Sequence, residues 1–329
     1  MAEDGAVSPT PVTELALAQH QPGPMVSAGR VRIFANPKSG AFLRHDMVEI
    51  ITLVAERLRS HGHEVDLQDP DLDFEGAVSW ALSAPQPDIL MVAGGDGTVL
   101  AMAERLMGRD LALGIIPMGT VNLLARDLGI AIDPAEATEQ LASGVLERID
   151  VARVNDRIFL CSCAFGMFPA LVKAREEVRT AADFTGWLEA AGRFGETITG
   201  EPPFHVTIEI GRKKRRFKSH FVVVSNNPFS RSRGIFLNRG VLDSGRLGIY
   251  AHCAPGRFGS IAMMARMAFS AWHQRELIDD TRSAFTIRTK PPAMEVALDG
   301  ELMRMDGPFR FSLSPRELTV LRPQLQQRR

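Results

Sequence analysis

Net charge, cysteine and long apolar runs are all scarce in this chain, and each deficit closes a class of function. Its 38 Lys and Arg stand against 39 Asp and Glu, leaving −1 at pH 7 with histidine neutral. No global field is then available to recruit nucleic acid. Three cysteines, Cys161, Cys163 and Cys253, cannot build a disulfide framework, and Cys161-Ser162-Cys163 lacks the partner ligands of a zinc site. Small buried thiols in a reducing cytoplasm are the expectation. No stretch approaches the ~18 uninterrupted apolar residues of a membrane span. The nearest, residues 261–272, is short and broken by Arg266. Residues 1–28 lack the basic start and apolar core of a signal peptide and read as a disordered leader. What remains has 45% hydrophobic and 23% charged residues, an ordinary globular composition, and the 329 residues are enough for two domains.

Two rhythms divide the chain. Over residues 29–148, short apolar strands alternate with helical patterns. Met47, Ile51, Val54 and Leu58 recur at the three- and four-residue steps of one helix face, Gly62 ends that helix, and Asp133-Pro134 opens another as N-cap and first turn. Strand–helix alternation predicts a doubly wound parallel sheet with helices on both faces, an α/β domain. Over residues 149–323 the segments are short, β-branched or alternating, and separated by turn residues. They predict a largely antiparallel β domain, interrupted by helical stretches at 170–180 and 187–197.

The loops after the strands of the first half carry the chemistry. Gly94-Gly95-Asp96-Gly97-Thr98 follows the apolar run 88–93 and precedes a helical stretch. Glycines there leave room for consecutive N–H groups to converge on an anion, and the helix adds its positive end. Asp96 would repel a phosphate, so it suits either a Mg²⁺ that bridges the two or the orientation of an acceptor hydroxyl. Asn36, Lys38, Ser39 and Gly40 form a second short polar loop, and Gly119, Thr120 and Asn122 a third. All three fall at the carboxyl ends of predicted parallel strands, where open α/β sheets bind ligands. Asp299 and Glu301 flank Gly300 near the C-terminus. Two residues apart on an extended chain, they are expected to point to one side, although Asp-Gly is also a favoured hairpin dipeptide.

Asn36-Pro37-Lys38-Ser39-Gly40, Gly94-Gly95-Asp96-Gly97-Thr98, Pro117-Met118-Gly119-Thr120-Val121-Asn122 and Asp299-Gly300-Glu301, in that order, resemble the diacylglycerol-kinase catalytic family. The likeness runs from about residue 30 to 323. It implies an α/β nucleotide-binding domain followed by a β-sandwich with the active-site cleft between them, the last strand packing back on the first domain. It also implies an ATP- and Mg²⁺-dependent lipid kinase acting on a lipid such as diacylglycerol at a membrane surface. The three loops would cradle phosphates and Asp96 would help place the Mg²⁺-nucleotide. Glu301 would receive the acceptor proton with Asp299 as its close partner, the two roles being exchangeable. The chain departs from the pattern at Leu123, where many relatives have a second acid after Asn. It departs again at Asp243-Ser244-Gly245-Arg246, where an auxiliary Mg²⁺ site expects Asp-Asp-Gly, so Asp243 is a weak metal ligand. A cytoplasmic protein, peripheral on the inner face of the membrane, is the expected setting.

Two other function classes share parts of this pattern. NAD kinases carry Gly-Gly-Asp-Gly-Thr but also a downstream Asn-Glu pair, for which Asn226-Asn227 is no substitute. A nucleotide- or lipid-binding regulator without catalysis would tolerate Leu123 and Ser244. The cationic run Arg212, Lys213, Lys214, Arg215, Arg216 and Lys218 reads as a solvated hairpin or as a patch for anionic lipid headgroups. The Met- and Phe-rich stretch 261–269 reads as core or as the wall of an acyl pocket.

Overall fold

The computed structural model describes residues 24–36, 44–167, 169, 202–230, 239–252 and 277–324. Lys38, Ser39, Gly40, the predicted helices at 170–180 and 187–197, and the stretch 261–269 lie outside the described residues.

Strands β1 (Arg30–Ala35), β2 (Glu64–Leu67), β3 (Ile89–Gly94) and β4 (Ala112–Pro117) pair in parallel in the order β2-β1-β3-β4. Every residue of β3 and β4 is buried, as expected of strands covered on both faces. Helices α1 (Arg44–Ser60), α2 (Phe74–Ala81), α3 (Asp96–Leu106), α4 (Leu123–Asp127) and α5 (Pro134–Ala142) complete this part. Asp73 and Asp133 cap α2 and α5 by accepting the N–H of Gly76 and Glu136, each such cap contributing about 1 kcal/mol.

The second part holds β5 (Val145–Val154), β6 (Arg157–Phe159), β7 (Ser162–Gly166), β8 (Phe204–Ile210), β9 (Lys213–Ser219), β10 (Phe221–Asn226), β11 (Leu247–His252), β12 (Leu277–Arg282), β13 (Ala284–Lys290), β14 (Ala293–Leu298), β15 (Glu301–Asp306) and β16 (Phe309–Arg322). One sheet runs β12-β11-β10-β7-β14-β15. Facing it, β16, β13, β8 and β9 continue the parallel sheet beyond β4, with β5 attached to β16 and β6 to β5. The core between the two sheets includes Phe165 and Phe309, whose ring centroids are 4.8 Å apart, and the stacked pair Phe285–Phe311 at 5.0 Å. The architecture is α/β plus an antiparallel β-sandwich. The two parts share a sheet through β16, where Val320 pairs in parallel with Leu113 of β4 while the same strand runs antiparallel to β5.

Three expectations need correction. The leader read over residues 1–28 does not hold for its last residues. Met25 bridges Val145, Val26 N–H donates to Gly144 O, and Leu146 N–H to Pro24 O. The cationic run is not a hairpin turn: Lys213–Ser219 is a paired strand, and only Gly211 and Arg212 turn the chain. The sequence after Gly119-Thr120 reads as a helix over 121–128, but the helix starts at Leu123, with Asn122 as N-cap at φ 53.

Candidate active site

Local sequence places the first loop. Gly94 closes β3, Gly95 is the N-cap of α3, and Asp96, Gly97 and Thr98 form its first turn, so the loop is shorter and the helix longer than the pattern suggested. No side chain caps α3, which leaves an anion-attracting helix end at the carboxyl edge of the sheet. Asn36, just past β1, donates from Nδ2 to Thr98 Oγ1 at 3.0 Å and so ties the first strand's loop to this turn. Bulk is excluded where the loops meet. A β-carbon on Gly119 would lie 2.6 Å from Gly95 Cα and 2.7 Å from Asn122 Oδ1. Gly95 and Gly119 are therefore in backbone contact, which only glycine permits at residue 119.

Asp96 lies between these loops. Its Oδ2 accepts the N–H of Asn122 at 2.9 Å and its Oδ1 that of Leu123 at 2.6 Å. Burial raises its pKa, and the two N–H bonds act against that rise. The Asn122 carboxamide is engaged with Gly119 at both ends, accepting its N–H at 2.9 Å and donating to its carbonyl at 2.8 Å. Leu123, where the resemblance predicts a second acid, contributes through its backbone. Thr120 is exposed beside them.

The Asp299–Glu301 motif does not place two carboxylates side by side. Leu298 and Glu301 pair across a two-residue turn in which Asp299 and Gly300 have φ 48 and 89. Positive φ at both positions makes this the hairpin turn that Asp-Gly favours. The Asp299 carboxylate turns inward and accepts the N–H groups of Leu160, Cys161 and Ser162 at 2.6, 2.7 and 2.8 Å. Burial raises its pKa to about 6 against those bonds and the Arg239 charge. Asp299 therefore anchors the hairpin and cannot be the solvent-facing partner of Glu301. Glu301 is exposed, and a β-carbon on Gly97 would lie 2.6 Å from its Oε1. The hairpin thus delivers one carboxylate from the β part onto the first turn of α3.

Asp243 is engaged elsewhere: its Oδ2 accepts Arg316 Nη2 at 2.8 Å. Neighbouring Asp150 is fully buried and accepts Arg316 N–H and Gly245 N–H. Ser244 donates to Asn227 Oδ1 from both N and Oγ, at 2.8 and 2.6 Å. Arginine therefore stands where a structural cation would, and among the described residues no group of three metal-ligating side chains occurs. These residues do not fit an auxiliary Mg²⁺. Asp96 does fit the way nucleotide-linked Mg²⁺ is usually held, by one or two carboxylates together with the phosphates, since its carboxylate keeps lone pairs beyond the two N–H bonds. Asn226 and Asn227 are buried and bonded internally, Asn226 to Asp150 O and Leu160 O, Asn227 to Leu242 O. Neither is free to read a nucleoside.

One pairing at this site carried no signal in the sequence. Arg239 binds Asp127 across 112 positions, a separation at which no local spacing rule operates.

Comparison with known proteins agrees with this geometry. Residues 30–154 match the diacylglycerol kinase catalytic domain. A Staphylococcus haemolyticus (strain JCSC1435) protein named a candidate lipid kinase is 26% identical over 238 residues, 71% of this chain and 76% of that protein. A similarly named protein of Staphylococcus aureus (strain MSSA476) is 26% identical over 242 residues, 72% of this chain and 78% of its own. A solved structure of a candidate diacylglycerol kinase from Bacillus anthracis str. Sterne superposes with TM-score 0.69 at 21% identity, covering 92% of this chain and 100% of the other. A diacylglycerol kinase structure from the same organism gives TM-score 0.64 at 20% identity over 90% of this chain and 97% of its own. The matched domain and the shared fold agree: residues 30–154 carry the match to the diacylglycerol kinase catalytic domain, and the whole described fold is similar to that of the solved diacylglycerol kinase structures.

Proposed function

We propose that the chain is an ATP- and Mg²⁺-dependent lipid kinase that transfers the γ-phosphoryl group to a lipid hydroxyl, with diacylglycerol as the first acceptor to test. The observation that carries this reading is the approach of the exposed Glu301 carboxylate to the uncapped first turn of α3. A base from one part of the chain then faces an anion-binding helix end in the other. Mg²⁺ would supply charge neutralisation across the β- and γ-phosphate oxygens. Glu301 takes the proton of the attacking hydroxyl as its oxygen bonds to phosphorus and the bond to the ADP oxygen breaks. Asp96 keeps the Gly119–Leu123 loop in place and would offer its remaining lone pairs to the cation. The backbone N–H groups around Gly94, Gly95, Gly97, Thr98, Gly119 and Thr120 would cradle phosphate, with Asn36 bracing the turn from β1. Lys38, Ser39 and Gly40 would complete the cradle.

A lipid acceptor requires contact with a bilayer, and the outer face of the β9–β8–β13 sheet suits one. Successive strand residues alternate faces. Lys214, Arg216 and Lys218 thus share a face with their partners Glu209, Thr207 and His205 on β8 and, beyond them, with Thr286, Arg288 and Lys290 on β13. The acid on this face, Glu209, lies 2.8 Å from Lys214 and 3.3 Å from Arg288. Arg212, Lys213 and Arg215 extend the exposed positive edge. Anionic headgroups would be attracted by about 1 kcal/mol per cation, which supports a peripheral setting on a cytoplasmic membrane face. No helix among the described residues is long and apolar enough to cross a membrane.

The deciding assay is transfer from labelled ATP with Mg²⁺ to diacylglycerol, other lipid acceptors and NAD in parallel. Labelled lipid is the expected product. Labelled NADP would indicate an NAD kinase instead, and nucleotide binding without turnover a regulator.

A further inference from the structure

Arg239 is the bulkiest fully buried side chain among the described residues, and all five of its guanidinium donors are used. Nε and Nη2 donate to Asp127 Oδ2 at 2.9 and 2.5 Å. Nη1 donates to Leu160 O at 2.5 Å and Asn226 O at 2.7 Å, and Nη2 also reaches Cys161 Sγ at 3.2 Å. The Arg239 N–H adds a bond to Asp127 Oδ1 at 2.9 Å. The side chains of Arg239 and Asp127 are 1% and 8% exposed. Simple fold stability does not call for such a pair, because replacing a buried ion pair with apolar residues of similar volume is often neutral or stabilising. What distinguishes this pair is its location.

Asp127 ends α4, whose start supplies the N–H groups of Asn122 and Leu123 to Asp96. Leu160 and Cys161, at the other end of the guanidinium, belong to the segment whose N–H groups hold the Asp299 carboxylate. Asp299 N–H returns a bond to Ser162 O at 2.8 Å, and Glu301 stands two residues on. A continuous set of bonded groups therefore runs from Asp96 through α4, Asp127, Arg239 and residues 160–162 to the hairpin that presents Glu301.

We propose that Arg239 is a positioning residue for phosphoryl transfer: with Asp127 it sets the spacing between the loop that holds Asp96 and the hairpin that carries Glu301. The inference rests on the lipid-kinase reading for its consequence in turnover, but the mechanical coupling can be measured without nucleotide. In wild-type protein, the amides of Asn122 and Leu123 and those of Leu160, Cys161, Ser162 and Asp299 should open to hydrogen exchange as one unit across a denaturant series. Independent opening of the two groups overturns the proposal.

Two variants extend the test to catalysis, using Mg·ATP and dioctanoylglycerol in detergent micelles. Arg239→Lys keeps the charge but has three donors on one nitrogen and cannot span Asp127, Leu160 O and Asn226 O together. The double variant Asp127→Leu/Arg239→Met removes both charges and keeps the volume. In each, kcat should fall roughly 10- to 100-fold, the scale of a displacement near 1 Å, with little change in KM for ATP. The loss should be non-additive with Glu301→Gln, since both act at the same base. A double variant that melts like wild type and keeps full kcat means the pair is structural only, and the proposal falls. If the double variant does not fold, unchanged kcat in Arg239→Lys has the same force. Absence of transfer by wild-type protein to any acceptor would remove the kinase reading, and the exchange experiment would still decide the coupling.

Discussion

Glu301 stands against Gly97: a β-carbon placed on residue 97 would lie 2.6 Å from Glu301 Oε1 and 3.2 Å from its Cδ. The two residues are 204 positions apart, and each is held by its own local device, Gly97 by the helix start after β3 and Glu301 by a two-residue turn. The atom that such a β-carbon would displace is the far end of a flexible side chain, so the clash can be relieved without moving backbone.

That geometry makes Gly97→Ala a way to separate folding from function. Alanine is favoured over glycine within a helix by about 1 kcal/mol, so the melting temperature should hold or rise slightly. The Glu301 carboxylate must shift, and a shift near 1 Å at a reacting group lowers turnover by about 10²-fold. Thermal melts and steady-state kinetics on the same preparation check both halves. An alanine variant with wild-type kcat would show that Glu301 does not work from this position.

Glu301→Gln tests the base itself. Its carboxylate is exposed and Asp299 is buried, so Glu301 alone of the two can meet an acceptor hydroxyl. Loss of a general base lowers kcat by roughly 10²–10⁴. KM for ATP should barely change, because the loops suited to phosphate belong to the other part of the chain. Full kcat with weakened ATP binding would move the base elsewhere.

The fold was legible where pattern and physics act locally. Periodic apolar residues marked α1, Asp133-Pro134 marked the start of α5, and strand–helix alternation predicted the parallel sheet at whose carboxyl ends the loops lie. Alternation alone could not show that β16 would serve both parts, since its partners Leu113 and Ile149 are remote in sequence. The two-residue spacing of Asp299 and Glu301 misled because it assumed an extended chain, whereas Asp299 at φ 48 turns its carboxylate toward β7. The basic run looked like a loop because six cations in eight residues suit water. Pairing with β8 and the burial of Val206 and Ile208 made it a strand all the same.

Asp96→Asn should act through the loop as much as through any metal. An amide would place an NH₂ against the N–H of either Asn122 or Leu123, where the carboxylate now accepts both. Leaving a buried donor without a partner costs about 1–3 kcal/mol. The expected outcome is weaker nucleotide binding by isothermal titration together with a lowered melting temperature. Unchanged melting with an altered Mg²⁺ requirement alone would assign Asp96 purely to the cation.

Asp299 predicts how stability depends on pH. Its carboxyl ionises near 3.8 when unfolded and at about 6 in the folded protein, burial being the main cause. Between those values the folded state keeps a proton that the unfolded state has released, so the contribution of Asp299 to stability is greatest at low pH. It declines as pH rises from about 4 to 6 and is level above that window. A shift of this size corresponds to a change on the order of 1–3 kcal/mol. Asp299→Asn removes the titration, and its amide cannot accept all three N–H bonds, so it should be less stable than wild type. The stability difference, wild type minus variant, should therefore shrink as pH rises from 4 to 6, as read from urea unfolding at several pH values. Carboxyl ¹³C NMR should place the Asp299 midpoint near 6. A difference that grew with pH over this range would mean that the three N–H bonds outweigh burial and that the carboxylate is held ionised in the fold.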